Sequence, residues 1–199
     1  MNIVKKQLRI GLVCSFAFLP VFSFASKYIY LTETAVYGDM TAYHGSQEYG
    51  PGITGADEWC NADTNRPTTS STYKALIAST DRHPGKDWPL QTKTIYVNSD
   101  NTIIGTTNNR GVFIFDLSAP FSTYVSNYYG SIPSWTGLTS HWAVSEMNCT
   151  NWTIKTGSSG SSQEGSIGQP SSLTSTSISY SDLPHSICNT YHPLYCVEQ

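Results

Sequence analysis

Apolar residues fall along this chain in three patterns, and each predicts a different kind of element. The first is a run from Ile10 to Phe24, interrupted at Pro20, preceded by Lys5, Lys6 and Arg9 and closed by Ser23-Phe24-Ala25. A basic start, about 15 apolar residues and small residues at the end make a secretory signal peptide, since a membrane-crossing helix needs roughly 20. The reading is a leader over residues 1–25, which takes Cys14 with it. One domain follows over 26–199, with no transmembrane segment in the mature chain.

The second pattern is alternation, which predicts strands. It runs through Lys27 to Tyr37 and recurs at Ile95 to Val97, Thr102 to Gly105, Val112 to Phe115, Trp135 to Leu138, His141 to Val144, Asn151 to Ile154 and His192 to Val197. Gly, Asn and Asp turns separate these runs, among them Asn98-Ser99-Asp100-Asn101. The third pattern is helical. Ile53, Ala56, Cys60 and Asp63 share a face, Thr54-Gly55-Ala56-Asp57 has the form of a capping box, and Arg66-Pro67 stops the pattern. Cys60 is therefore expected on a helix with its sulfur toward the core. Tyr73 to Ala78 is too short for its period to separate helix from strand, and the reading taken is a short helix.

Two segments have no such period. Gly38 to Gly52 and Ser118 to Pro133 read as loops, the latter with Phe121, Tyr124, Tyr128 and Tyr129. Thr156 to Thr176 holds 8 Ser and 4 Gly in 21 residues, which predicts an exposed, mobile loop with little apolar surface to pack.

Charge and cysteine content then narrow the class. After residue 25 there are 8 basic and 14 acidic side chains, a balance near −6. No nucleic-acid partner is expected, because that interaction needs a surplus of Lys and Arg on one face. Cys60, Cys149, Cys188 and Cys196 remain, an even number in an exported chain, and imply two disulfides with three possible pairings. Zinc ligation by these cysteines is disfavoured because no C-x-x-C pair occurs. A bridge closing about 40 residues stabilises by roughly 4 kcal/mol, and one closing about 137 by roughly 5, in the chain-entropy model.

The order of helix-borne Cys60, Trp135-Thr136-Gly137-Leu138, Cys149, Cys188 and a terminal strand with Cys196 resembles the C-type lectin-like fold. Gly55-Ala56-Asp57 before Cys60, Cys149-Thr150-Asn151-Trp152, and Cys188 through Tyr195-Cys196-Val197-Glu198 resemble its endostatin-like branch. Ile104-Gly105-Thr106-Thr107-Asn108, with Gly111 and Phe113, resembles a family of secreted bacterial domains of unknown function. The resemblance implies an α+β fold of short helices packed on small antiparallel sheets. It also implies nested bridges, Cys60 to Cys196 and Cys149 to Cys188.

Other properties of those families do not transfer. Thr139 to Asn148 contains one carboxylate, Glu146, too few oxygens for the six to eight that calcium takes. Arg66, Arg82 and Arg110 are the only arginines after the leader and are far apart, unlike the heparin-binding arginine face of the endostatin branch. No G-x-S-x-G elbow and no free mature cysteine supply a nucleophile, so no catalytic residue, cofactor or metal is assigned. His185 and His192 flank Cys188 and with Asp182 form the one candidate metal cluster. Asn148 and Asn151 stand in glycosylation sequons but read as unmodified.

Aromatic content points to binding. Trp88, Trp142, Trp152, Tyr124, Tyr128, Tyr129 and Tyr191 exceed what a core of this size needs, and rings beside amides hold sugar faces without metal. The ligand residues expected are Tyr124, Tyr128, Tyr129, Trp142 and Trp152. The function expected is a secreted, periplasmic or surface module engaging a glycan or an extracellular protein without calcium. The alternative is a secreted hydrolase or metal-dependent enzyme on the same fold.

Overall fold

A computed structural model describes residues 25–40, 43–44, 47–48, 50–123, 132–156, 163–180 and 185–199. Residues 1–24 of the leader, Tyr124, Tyr128, Tyr129 and Asp182 lie outside the described residues. The architecture is mixed α and β, with small sheets, few helices and two disulfides.

The chain enters through β1 (Lys27–Leu31), passes the two-residue strands β2 (Tyr43–His44) and β3 (Gln47–Glu48), and forms helix α1 (Ile53–Ala62). Next come β4 (Tyr73–Ala75), β5 (Ile95–Val97) and β6 (Ile103–Thr106). After them come β7 (Ser134–Trp135), β8 (Glu164–Gly168), β9 (His185–Ile187) and β10 (Tyr195–Glu198). Five strands form the main sheet in the order β4-β10-β1-β5-β6, and β7-β8-β9 form a second. Within the main sheet β10 runs antiparallel to β1, with Ile29 opposite Val197, and β1 runs parallel to β5.

The main sheet divides two apolar cores. Tyr30, Ala75, Ile77 and Cys196 face α1, Trp59, Trp135 and Trp152. Their neighbours Ile29, Leu31, Leu76, Ala78, Tyr195 and Val197 face Tyr96, Ile104, Phe113, Phe121 and Trp142. Side chains on a strand alternate between faces, so a strand covered on both sides reads as a continuous apolar run. That is why Tyr73 to Ala78, expected as a short helix, begins as strand β4.

Helix α1 starts with Gly52 in the N-cap position and no side-chain cap, so Thr54 lies inside the helix rather than at its end. Asp57 is not a capping acid. Its carboxylate accepts from Nη1 and Nη2 of Arg82 at 2.6 and 2.7 Å and from the Ala75 amide at 2.8 Å. Arg82 is buried and also donates through Nε and Nη2 to Asp87 at 3.1 and 2.8 Å and through Nη1 to the Ala75 carbonyl at 3.2 Å. Burial works to lower the Arg82 pKa, and the hydrogen bonds and charges of Asp57 and Asp87 outweigh it and raise it. One guanidinium thus joins the helix, β4 and the loop after it.

The nested bridges are present. Cys60 on α1 meets Cys196 on β10 with Cα atoms 5.5 Å apart, and Cys149 meets Cys188 at 5.7 Å. The outer bridge spans the helix–sheet core, and Gly38 packs directly on the inner one.

Other expectations need correction. Within the segment expected to be an exposed Ser/Gly loop, Glu164–Gly168 is a buried central strand. Its small residues fit under bulk supplied by others: a Cβ on Gly165 would stand 2.7 Å from Trp135 Cζ3. Asn151 to Ile154 is not a strand, because Cys149–Trp152 forms a left-handed turn with φ of 50, 54, 56 and 66°. The Asn148 side chain holds it by accepting from the Asn151 amide at 2.9 Å. Val112 to Phe115 and His141 to Val144 form no strand either; Leu138 and Val144 meet in a single bridge.

Removing one partner of a buried, hydrogen-bonded ion pair costs about 3–5 kcal/mol. Arg82→Ala should lower the stability read from urea unfolding by that amount. Replacing Cys60 and Cys196 together by Ala should cost about 3–5 kcal/mol, because the lost bridge closes a long loop; calorimetric melting with and without reductant checks it.

Candidate functional site

The two expected tryptophans lie in the cores. Trp142 is 5% exposed, stacks on Phe115 at 5.5 Å between centroids, and donates Nε1–H to the Phe113 carbonyl at 3.1 Å. Trp152 is fully buried, lies edge-on to Trp135 and donates to the Ala78 carbonyl at 2.9 Å. Rings covered in this way, with their N–H groups in use, present no face to a ligand. They are scaffold residues, and Tyr124, Tyr128 and Tyr129 fall outside the described residues.

The two histidines are engaged separately. His185 Nε2 lies 3.3 Å from the buried Glu164 carboxylate. His192 is buried edge-on to Trp135, and its Nδ1 faces the Pro133 carbonyl at 3.0 Å. A backbone carbonyl only accepts, so Nδ1 carries the proton and the neutral tautomer fits. Burial pushes the His192 pKa down to about 4 against the upward pull of that hydrogen bond. Among the described residues no group of three or more His, Cys, Asp or Glu could hold a metal ion. Asn148 and Asn151 also work internally: Asn151 Oδ1 accepts from the Thr80 amide at 3.1 Å.

A cavity away from these residues is better placed to meet a ligand. A cleft of about 690 Å³ is lined by residues 84–88 and 90–92 on one side and Asn109 and Arg110 on the other. Pro84-Gly85 turns the first wall. His83 and Lys86 exchange both backbone hydrogen bonds, at 3.0 and 2.8 Å, and Gly85 takes φ 100°, as a type II turn requires at its third residue. The second wall is a turn in which the Asn108 side chain accepts from the Arg110 amide at 2.8 Å. Gly111 closes it at φ 67°, where a Cβ would strike the Leu90 carbonyl at 2.5 Å.

Trp88 is held between the walls. Its Nε1 donates to the Gly111 carbonyl at 2.8 Å, and its ring meets Trp142 edge-on at 6.2 Å. Thr107 ties the next stretch to β6, donating to the Gln91 carbonyl at 2.5 Å and accepting from the Thr94 amide at 3.0 Å. Asp87 anchors the floor through Arg82 and Lys74. Burial works to raise its pKa, and hydrogen bonds from those two cations outweigh it and hold it low. A half-buried indole, two exposed amide side chains and several charges line the cleft, a set that can stack on a ring and hydrogen-bond its substituents.

A family model described as protein of unknown function, DUF1554, matches residues 41–173. The chain belongs to this bacterial family. The DUF1554 match takes in α1, both cleft walls and β8. It includes the run Ile104 to Asn108 with Gly111 and Phe113, which the structure places in and beside the second wall. No curated protein matches the chain. The same run was the available signal for the cleft, together with Pro84-Gly85, but only the fold brings the two turns face to face. A second exposed aromatic position is Tyr191, 54% exposed and 3.8 Å from the Tyr37 ring, with Lys155 Nζ 4.7 Å from that ring.

The histidine yields a pH prediction. The folded pKa of His192, about 4, lies below the 6.5 of an ordinary histidine, so the unfolded chain takes up the proton first. The stabilisation is complete above about pH 7 and is lost as pH falls from 6.5 toward 4. Urea unfolding should show a His192 contribution of about 2 kcal/mol lost between about pH 7.5 and pH 5, and His192→Gln should remove that part of the slope.

Proposed function

We propose that this DUF1554 protein is a secreted binding module of C-type lectin-like fold that engages a glycan without calcium. The fold reading draws on α1 fastened to the terminal strand by Cys60–Cys196, on Trp135-Thr136-Gly137-Leu138 at β7, and on the inner bridge. Export is read from the leader pattern, and two disulfides are compatible with an oxidising compartment. Among the described residues no helix is long and apolar enough to cross a membrane.

The observation that carries the glycan reading is the Trp88 cleft. Its volume of about 690 Å³ falls within the roughly 300–1,000 Å³ typical of small-molecule sites. An extracellular protein as partner is an outcome the binding test distinguishes. A hydrolase or metal-dependent enzyme would draw on His185 and His192 together, whereas one pairs with Glu164 and the other is buried against Trp135.

A glycan array probed with the purified protein should give defined positives. Trp88→Leu should weaken capture about tenfold, or about 1.4 kcal/mol, with the circular-dichroism spectrum unchanged, and Asn109→Ala should weaken it a few-fold. If both variants bind as the wild type does, the contact lies elsewhere. Tyr128→Ala with Tyr129→Ala then tests the loop that the sequence singles out.

A further inference from the structure

The charge around the cleft narrows the kind of saccharide it takes, an inference that rests on the cleft being the binding site. After residue 25 the chain carries 8 basic and 14 acidic side chains, so most of its surface is expected to be negative. Around the cleft the balance inverts. Lys86 and Arg110 line it, and Lys93, exposed, follows the lining residue Thr92 and is joined by its amide to the Asn108 carbonyl at 3.3 Å. Lys74 and Arg82 stand behind the floor on Asp87. Four of the eight basic side chains are therefore at the cleft or directly behind it, and Lys93 stands beside it.

The acidic groups nearby are already matched. Asp57 and Asp87 share Arg82, Asp87 also takes Lys74, and Asp81 takes Lys86 at 2.8 Å. Among the described residues neither Arg110 nor Lys93 has an acidic partner, and both side chains are exposed. A guanidinium holds a planar carboxylate through two parallel hydrogen bonds, which an ammonium cannot reproduce. One such group beside one indole suits a single carboxylate on a sugar ring, not a polyanion spread over a basic face.

We infer that the cleft takes an acidic saccharide, a uronic-acid unit whose ring stacks on Trp88 and whose carboxylate pairs with Arg110. Gln91 and Asn109 then face its hydroxyls, and Lys93 adds longer-range attraction that salt screens.

Calorimetric titration of the purified protein with oligomers of galacturonic, glucuronic and mannuronic acid, each beside its carboxyl-reduced neutral form, tests this. At least one acid form should bind about tenfold more tightly than its neutral counterpart at low salt, with the gap narrowing at high salt. Arg110→Gln should close the gap without weakening the neutral form, and Arg110→Lys should keep part of it. Binding of no form, equal binding of acid and neutral forms, or an acid preference that survives Arg110→Gln overturns the inference. Trp88→Leu separates it from the wider reading. If that variant loses both forms while the wild type shows no preference, the cleft stands and only its acidic specificity falls. If it binds both as the wild type does, the cleft itself is not the site.

Discussion

The buried Arg82 guanidinium is the interaction on which the rest depends. It lies 2% exposed between Asp57 of α1, the Ala75 carbonyl of β4 and Asp87 of the cleft loop. A charge so deeply placed is tolerable only because its N–H groups are met by carboxylates and a carbonyl. The requirement runs both ways. Helix, strand and loop must all be in place for the cation to be satisfied, so the scaffold and the floor of the cleft are set by one network. The outer disulfide holds the same helix less than one turn further on, at Cys60, and reaches the last strand. Between them they leave α1 little freedom against the sheet.

The cleft inherits that rigidity. Its two walls are turns, each closed by a glycine at positive φ, and Trp88 bridges them by donating to Gly111. Behind Trp88, Trp142 and Phe115 form a stack rooted in the second core. Large side chains held this way lose little entropy when a ligand arrives, which favours binding. The protein thus combines a disulfide-tied frame with a polar, aromatic surface opening.

Much of the frame was legible in the sequence, for reasons that also explain what was not. β1, β5, β6 and β10 follow from alternation with β-branched and aromatic residues, and α1 from the spacing of Ala56 and Cys60. The disulfide pairing came through resemblance, since counting left three options. Tyr73 to Ala78 misled because both faces of its strand are buried, which erases the period. Glu164–Gly168 misled because composition measures a segment's own bulk, whereas Gly165 is buried under Trp135. Asp57 fits a capping box locally, yet its partner lies 25 residues on, and no short-range pattern reveals such a pair. Trp88 was one of several surplus aromatics; only the fold separates it from Trp142 and Trp152, whose rings fill the cores.

The central claim is that a saccharide meets the indole of Trp88 and leaves the core indoles untouched. The indole N–H region of the NMR spectrum reads this directly, with Trp88→Phe assigning the one signal. On titration with a bound saccharide the account predicts that the Trp88 resonance shifts in a saturable way while those of Trp135 and Trp152 stay fixed. A saturable shift confined to the other indoles, with Trp88 unmoved, would contradict it.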